Sequence, residues 1–259
     1  MGRGVAQRDA SGRIEQWFGT CTDIDAAKIA EQILLDQESR LREADRRKDE
    51  FLATLSHELR NPLAPIRNAA SLLRTGDLAP ERLRWAHGVI ERQVDHMARL
   101  LDDLLDMSRV TLGKLVLKRE RVRLRTMVEA AIEAAQPLID RKRHCLQVQL
   151  PADEVCLDAD PVRFAQILTN LLTNAAKYTD GAGTLTLHAR IESAQLVIAV
   201  RDTGVGLAPD ALQRIFTMFS QVESSLARSE GGLGIGLALV QGLVQLHGGR
   251  GTAHSAGPG

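Results

Sequence analysis

Along the first half of the chain the apolar positions fall in sevens. Leu52, Leu59, Ile66 and Leu73 recur at that interval, with Leu55, Pro62 and Ala69 between them at alternating spacings of three and four. This is the pattern of a helix packed along a bundle seam. Upstream, Leu34, Leu41 and Ala44 hold one heptad frame, Lys48 breaks it, and Leu52 restarts it four residues on. Such a stutter changes the supercoil locally. It fits either a point where bending from an upstream segment is relayed or a plain packing irregularity. One helix is predicted from about Ile24 through the run Phe51–Ile66, with Asp23 or Asp25 as its cap.

The segment Arg74–Pro80, with Gly76 and Pro80, ends that helix. Leu83, Ile90, Met97 and Leu104 then resume a heptad, with Ala86, Leu100 and Met107 between them. Two helices joined by a short loop make an antiparallel hairpin, which buries too little alone. Two such hairpins make a four-helix bundle, so a homodimer is expected. From Leu115 the texture changes to short alternating strands at Lys114–Val122, Cys145–Leu150 and Glu154–Leu157, separated by helices such as Leu124–Ile139. That is an α+β layer, with a boundary near residues 113–120. At the other end, Asp9–Gly12 signals a turn and Ile14–Thr22 alternates as a strand. A lone strand is unstable, so its sheet is expected outside the sequence.

Composition narrows the function classes. Formal net charge is +0 and aromatics are 3%, which leaves neither a basic field nor a stacking platform for nucleic acid. Cys21, Cys145 and Cys156 are scattered, without a Cys-x-x-Cys pair, and suit a reducing compartment. No apolar run reaches the length of a membrane span and no cleavable signal opens the chain, so cytoplasmic placement without membrane contact is expected. Segments upstream of this sequence stay open on that point.

Four places carry chemistry. His57 falls on the side of its helix away from the seam, where an imidazole presents a ring nitrogen to an incoming group. His87 and His96, with no acidic box beside them, read as ordinary partly exposed residues. On the predicted helix Pro161–Tyr178, Gln166, Asn170 and Asn174 stand four apart and share a face, with Lys177 a turn further. A carboxamide row needs partners, and its oxygens suit Mg²⁺ completed by phosphate. A predicted strand, Leu196–Arg201, delivers Asp202-Thr-Gly-Val-Gly206, where a carboxylate meets glycines that let a ligand approach. Finally Gly231-Gly-Leu-Gly-Ile-Gly236 runs into a predicted helix Leu237–His247, a phosphate cradle that is neither a Walker loop nor a Rossmann fingerprint. Between the glycine runs, Ile215–Phe219 and Ser220–Glu230 read as hinge and lid.

The run His57-Glu58-Leu59-Arg60-Asn61-Pro62, preceded by Phe51-Leu52 and Ser56, resembles the phosphoacceptor box of the sensor histidine kinases of two-component systems. The three downstream motifs resemble the ATP-binding domain shared by histidine kinases, MutL and type II topoisomerases. The match covers roughly residues 45–255. It implies an α+β multidomain fold: a helical hairpin forming a dimeric four-helix bundle, then an α/β-sandwich ATP-binding domain. The implied layout is 1–24 as the end of a PAS-like sensor domain, 25–50 as a coiled-coil signalling helix, 45–114 as the dimerisation and phosphotransfer hairpin, and 115–259 as the catalytic domain. A leader added for expression, matching by chance, is the competing reading of the first segment.

The implied activity is ATP- and Mg²⁺-dependent phosphorylation of His57, then transfer to an aspartate on a response regulator. In the family's terms Glu58 accepts the imidazole proton and Asn61 positions water for dephosphorylating that partner. Asn170 and Asn174 line the nucleotide site, with Asn174 the Mg²⁺ ligand. Lys177 meets phosphate, Tyr178 flanks adenine and Asp202 reads its amino group. Gly204, Gly206, Gly232, Gly234 and Gly236 shape the pocket, and Phe216 and Phe219 brace the lid. Where many relatives carry an arginine after the phenylalanine pair, this chain has Ser220-Gln221, and Arg228 is the candidate for that charge. Relatives also continue past Gly257-Pro-Gly259 into a last strand. Two other readings stay beside this one: a non-catalytic dimeric scaffold, and an ATPase of the chaperone or repair type, against which the box at His57 argues.

Overall fold

A computed structural model describes residues 2–21, 25–74, 79–218 and 233–257. The chain divides into two compact units, Met1–Leu52 and Ala53–Gly259. In the first, β1 (Gly2–Arg8) pairs antiparallel with β2 (Ile14–Cys21). The strand expected to lack its sheet therefore has a partner inside this chain, seven residues that the turn at Asp9 folds back. Asp9 Oδ1 closes that turn by accepting from Ser11 N at 2.8 Å and Arg13 N at 2.9 Å. Val5, Trp17 and Phe18 remain exposed on the hairpin.

The helix α1 runs unbroken from Asp25 to Leu73, as the heptads predict. Within the second unit its end packs on the start of α2 (Pro80–Thr111), Ala69 meeting Ala86 and Val89 in a small buried cluster. Pro80 supplies a first helical residue that needs no amide partner. The loop between the helices lies mostly outside the described residues.

The rest of this unit is the expected α+β layer. A three-stranded sheet has the order β4 (Cys145–Gln149), β6 (Thr184–Glu192), β7 (Gln195–Asp202). The β4–β6 pair is parallel and β6–β7 antiparallel. A separate antiparallel pair joins β3 (Glu120–Arg123) to β5 (Cys156–Ala159). Helices α3 (Leu124–Arg141) and α4 (Pro161–Tyr178) supply one wall of the core. Leu124, Val128, Ala131 and Ala135 form the buried stripe of α3, while Leu185, Leu187 and Ala189 alternate inward from β6. A short α5 (Pro209–Arg214) and α6 (Gly236–Leu246) follow.

Two sequence expectations shift. The strand foreseen from Lys114 begins only at Glu120, because the amide of Lys118 turns to Asp160 Oδ2 at 2.9 Å instead of a ladder partner. The strand foreseen at Glu154–Leu157 lies two residues later, where Cys156 pairs with Arg123.

Candidate phosphoacceptor and nucleotide site

On α1, His57 and Asn61 are exposed while Glu58 and Leu59 are half-buried and Pro62 is buried. The His57 imidazole thus faces outward, as the heptad count requires. Pro62 and Pro65 lie inside the helix and have no amide to give, so the carbonyls of Glu58 and Asn61 lose their helical donors.

Across the α+β layer, α4 organises the site. Asp160 caps it: Oδ1 accepts from Val162 N and Arg163 N, both at 3.1 Å, while Oδ2 takes Lys118 N. Burial pushes the Asp160 carboxyl up, but the amides of Lys118, Arg163 and Val162 outweigh it and hold it below the usual carboxylate range. With Pro161 as the first helical residue, the helix starts at one defined position. That fixes the heights of Asn170 and Asn174 downstream.

The two asparagines are half-buried and face the start of α6. A β-carbon placed on Gly236 would stand 3.9 Å from Asn174 Nδ2 and 4.0 Å from Asn170 Cγ. The glycine-rich helix N-terminus and the carboxamide row therefore meet. Asn170 Nδ2 is buried with no hydrogen-bond partner among the described residues, a donor open to a ligand. Leu233 and Ile235, both buried, anchor the run on either side of Gly234, whose φ is +65°.

Asp202 closes β7 at the edge of this space. Its Oδ1 accepts from Gly204 N at 2.9 Å, an Asx turn that leaves the carboxylate exposed. Val205 N donates to the Tyr178 carbonyl at 3.2 Å, so the loop after β7 is stitched to the end of α4. Gly206 has φ +67°, and a β-carbon there would lie 2.0 Å from the Gly257 carbonyl oxygen. Tyr178 is 39% exposed beside this loop. Phe216 is half-buried. Phe219, Arg228 and Gly232 lie outside the described residues, as does the lid.

Gln166 keeps its face of the helix but is engaged elsewhere. Its Nε2 donates to Asp106 Oδ2 of α2 at 3.0 Å, so this carboxamide is engaged by the bundle. Lys177 is half-buried, and its backbone carbonyl accepts from Lys142 Nζ at 2.8 Å. Its charge reaches His96 on α2. Burial first, then Arg99 and Lys177, lower the His96 pKa, while Glu58 opposes them. His96 is thus half-buried between elements, whereas His87 is exposed.

Sequence reasoning missed the supports. His247 donates from Nδ1 to the Leu243 carbonyl at 2.8 Å and accepts at Nε2 from Asp160 N at 3.2 Å, with Phe164 edge-on at 6.1 Å. Buried His144 pairs Nε2 with the Ala176 carbonyl at 3.0 Å and accepts at Nδ1 from Gly183 N at 3.2 Å. The Asp-Pro pair at 160–161 was a legible cap signal. The histidines carry no local signal.

A divalent cation is compatible with this donor set. Among the described residues no three His, Cys, Asp or Glu gather as a metal site. Asparagine oxygens facing a glycine-lined space suit a hard cation that takes most of its ligands from phosphate and water.

Residues 47–113 match the His Kinase A (phospho-acceptor) domain family, and residues 159–259 match the histidine kinase-, DNA gyrase B- and HSP90-like ATPase family. The sensor protein GacS of Pseudomonas syringae pv. syringae is 38% identical over 213 residues, 80% of this chain and 23% of that protein. Full-length ShkA, crystallised with AMPPNP, is 31% identical with a TM-score of 0.54, over 79% of this chain and 43% of that one. Histidine kinase ThkA, in complex with the response regulator TrrA, shares the fold at 18% identity and a TM-score of 0.54, over 96% of this chain and 68% of that one. The chain belongs to the sensor histidine kinases. It spans about a quarter of the length of GacS.

Proposed function

We propose that this chain transfers the γ-phosphoryl group of ATP to His57 and hands it on to an aspartate of a response-regulator receiver domain. The observation that carries this reading is one chain holding both an exposed histidine in its full box and a glycine helix start facing Asn170 and Asn174. A ring nitrogen of His57 attacks the γ-phosphorus. The N–P bond forms as the bridging P–O bond breaks, ADP leaves, and Glu58 takes the imidazole proton. Bound Mg²⁺, with Asn174 as its protein ligand, supplies positive charge to the phosphates.

The remaining roles are those the family resemblance implies. The orphaned Asn170 amide donates to phosphate or to its water shell. Lys177 adds positive charge, Tyr178 flanks adenine, and Asp202, with Oδ1 held by Gly204, offers Oδ2 to the adenine amine. Gly204, Gly206, Gly232, Gly234 and Gly236 shape the pocket, with Phe219 and Arg228 in the lid. Asn61, exposed one turn from His57, positions water when the partner is dephosphorylated.

Exposed Leu63, Val94, Leu101 and Leu105 on α1 and α2 support pairing of two hairpins in a homodimer. The hairpin β1–β2 is read as the end of a PAS-like sensor domain that feeds α1. No helix among the described residues is long and apolar enough to cross a membrane, in keeping with work in the cytoplasm. The nucleotide analogue in ShkA and the regulator in the ThkA complex support the two halves of the reaction.

The test is incubation with γ-labelled ATP and Mg²⁺, followed by a purified receiver domain. Acid-labile label should appear on the wild type and be absent from His57→Ala and Asn174→Ala. Nucleotide binding without label would instead leave a scaffold.

A further inference from the structure

One buried polar contact is used by none of these steps. Asp106, on α2, is 7% exposed and receives Arg163 Nη1 of α4 in an ion pair. Gln166 Nε2 donates to the same carboxylate oxygen at 3.0 Å, and Gln166 Oε1 accepts from the same Arg163 nitrogen at 2.8 Å. The three side chains close a ring in which each satisfies the others. Arg163 is itself placed by the Asp160 cap. Asp103, one turn back on α2, is half-buried, and burial raises its carboxyl against the lowering effect of Gln166.

The ring sets a height. The packing of Ala69 on Ala86 and Val89 fixes how α1 and α2 run past each other. His57 lies twelve residues before Ala69, so on an antiparallel neighbour it is level with roughly residues 98–101. On α4, Gln166 is held at Asp106, and Lys177, eleven residues on, acts on His96 through its charge. Asn174 lies between these two points, at roughly the level of residues 98–99 of α2. The charge of Glu58, next to the acceptor, reaches the same His96. The ring therefore fixes one end of the row on α2, and the fields of Lys177 and Glu58 meeting at His96 support the Asn174–Lys177 end lying at the level of the acceptor box.

We propose that Asp106, Arg163 and Gln166 act as a register pin. They are positioning residues that seat the nucleotide domain on α2 at the height where a phosphate beside Asn174 is level with His57. The proposal rests on the phosphotransfer reading above. None of the three side chains needs to touch nucleotide. Loss of the pin changes where the phosphate is delivered and leaves nucleotide affinity alone.

Asp106→Asn keeps the shape and removes the charge. Two quantities separate a pin from a merely structural contact: the single-turnover rate of label transfer to His57, and the Kd of a fluorescent ATP analogue. Asp106→Asn is expected to slow transfer about tenfold or more with Kd changed by less than about twofold. The paired exchange of Asp106→Arg with Arg163→Asp should recover most of the rate. Unchanged or faster transfer in Asp106→Asn overturns the pin, faster transfer marking the contact as a restraint. A parallel loss of Kd and of the urea midpoint overturns it too, as a folding contact. If the wild type takes no label at all, the phosphotransfer reading falls and the pin falls with it; label on the wild type keeps the two failures apart.

Discussion

Gly204 passes so close to the end of α4 that a β-carbon built on it would stand 2.4 Å from the Tyr178 carbonyl oxygen. That oxygen is backbone and cannot swing aside. Gly204→Ala must therefore move the loop that holds Asp202, whose Oδ1 depends on the Gly204 amide. The expected result is a loss of about 1–3 kcal/mol in urea unfolding, with weakened nucleotide binding. Gly181 is the control. It has φ +59° and nothing within 4 Å of a β-carbon, so Gly181→Ala should show only the backbone strain of about 1 kcal/mol.

Gly236 makes a different prediction, because its neighbours are side chains at ordinary contact distance. A methyl group there meets Asn174 at 3.9 Å and Asn170 at 4.0 Å, which the fold tolerates. It nevertheless occupies space through which phosphate would approach the helix start. Gly236→Ala should leave the urea midpoint near the wild-type value, since alanine is the better helix former. It should weaken the affinity of a fluorescent ATP analogue, and Gly236→Val should weaken it further. Unchanged affinity in both variants would place the nucleotide elsewhere.

Asp160 links the site to pH. Its folded carboxyl is held below its ordinary value, burial being outweighed by three amides. The stability it contributes is therefore present above the usual carboxylate range and is lost as pH falls through the lowered value. Asp103 has the opposite sign. Burial raises its carboxyl, so its contribution is present at low pH and lost as pH rises through the raised value. Asp160→Asn keeps the cap and removes the titration, so subtracting its unfolding curve from the wild type isolates the Asp160 slope below about pH 4. Asp160→Ala also loses the cap and should cost about 1–2 kcal/mol at pH 7.

What could be read in the sequence was whatever depends on neighbours along the chain. The heptads placed α1 and α2 and turned His57 outward because a helix repeats every few residues. The helix read from Pro161 and the four-residue spacing placed Asn170 and Asn174 on one face. β6 went unread although Leu185, Leu187 and Ala189 alternate inward, because its hairpin turn gives no signal. Ser193 and Ala194 hold φ of 47° and 63°, a turn that usually calls for Asn-Gly. Gln166 kept its face but changed its role, since Asp106 lies sixty residues away and no spacing rule reaches it. The same holds for His247 under Asp160. The partner of β2 was in plain view at Gly2–Arg8, but two glycines in seven residues weaken its alternation.

The contact of α6 with α2 sets two known effects against each other. Gly242 sits inside α6, where replacing glycine with alanine favours the helix by about 1 kcal/mol. A β-carbon there would lie 2.5 Å from Val110 Cγ1 near the end of α2. Valine is branched at its β-carbon and has few rotamers to retreat into, so the clash moves backbone. Overpacking of this kind costs about 1–3 kcal/mol, so the clash should win. Gly242→Ala alone should destabilise the protein in urea. Adding Val110→Ala removes the opposing methyl groups and should leave the double variant more stable than Gly242→Ala. A coupling energy near zero in that cycle would mean that α6 and α2 do not touch in solution as they do here.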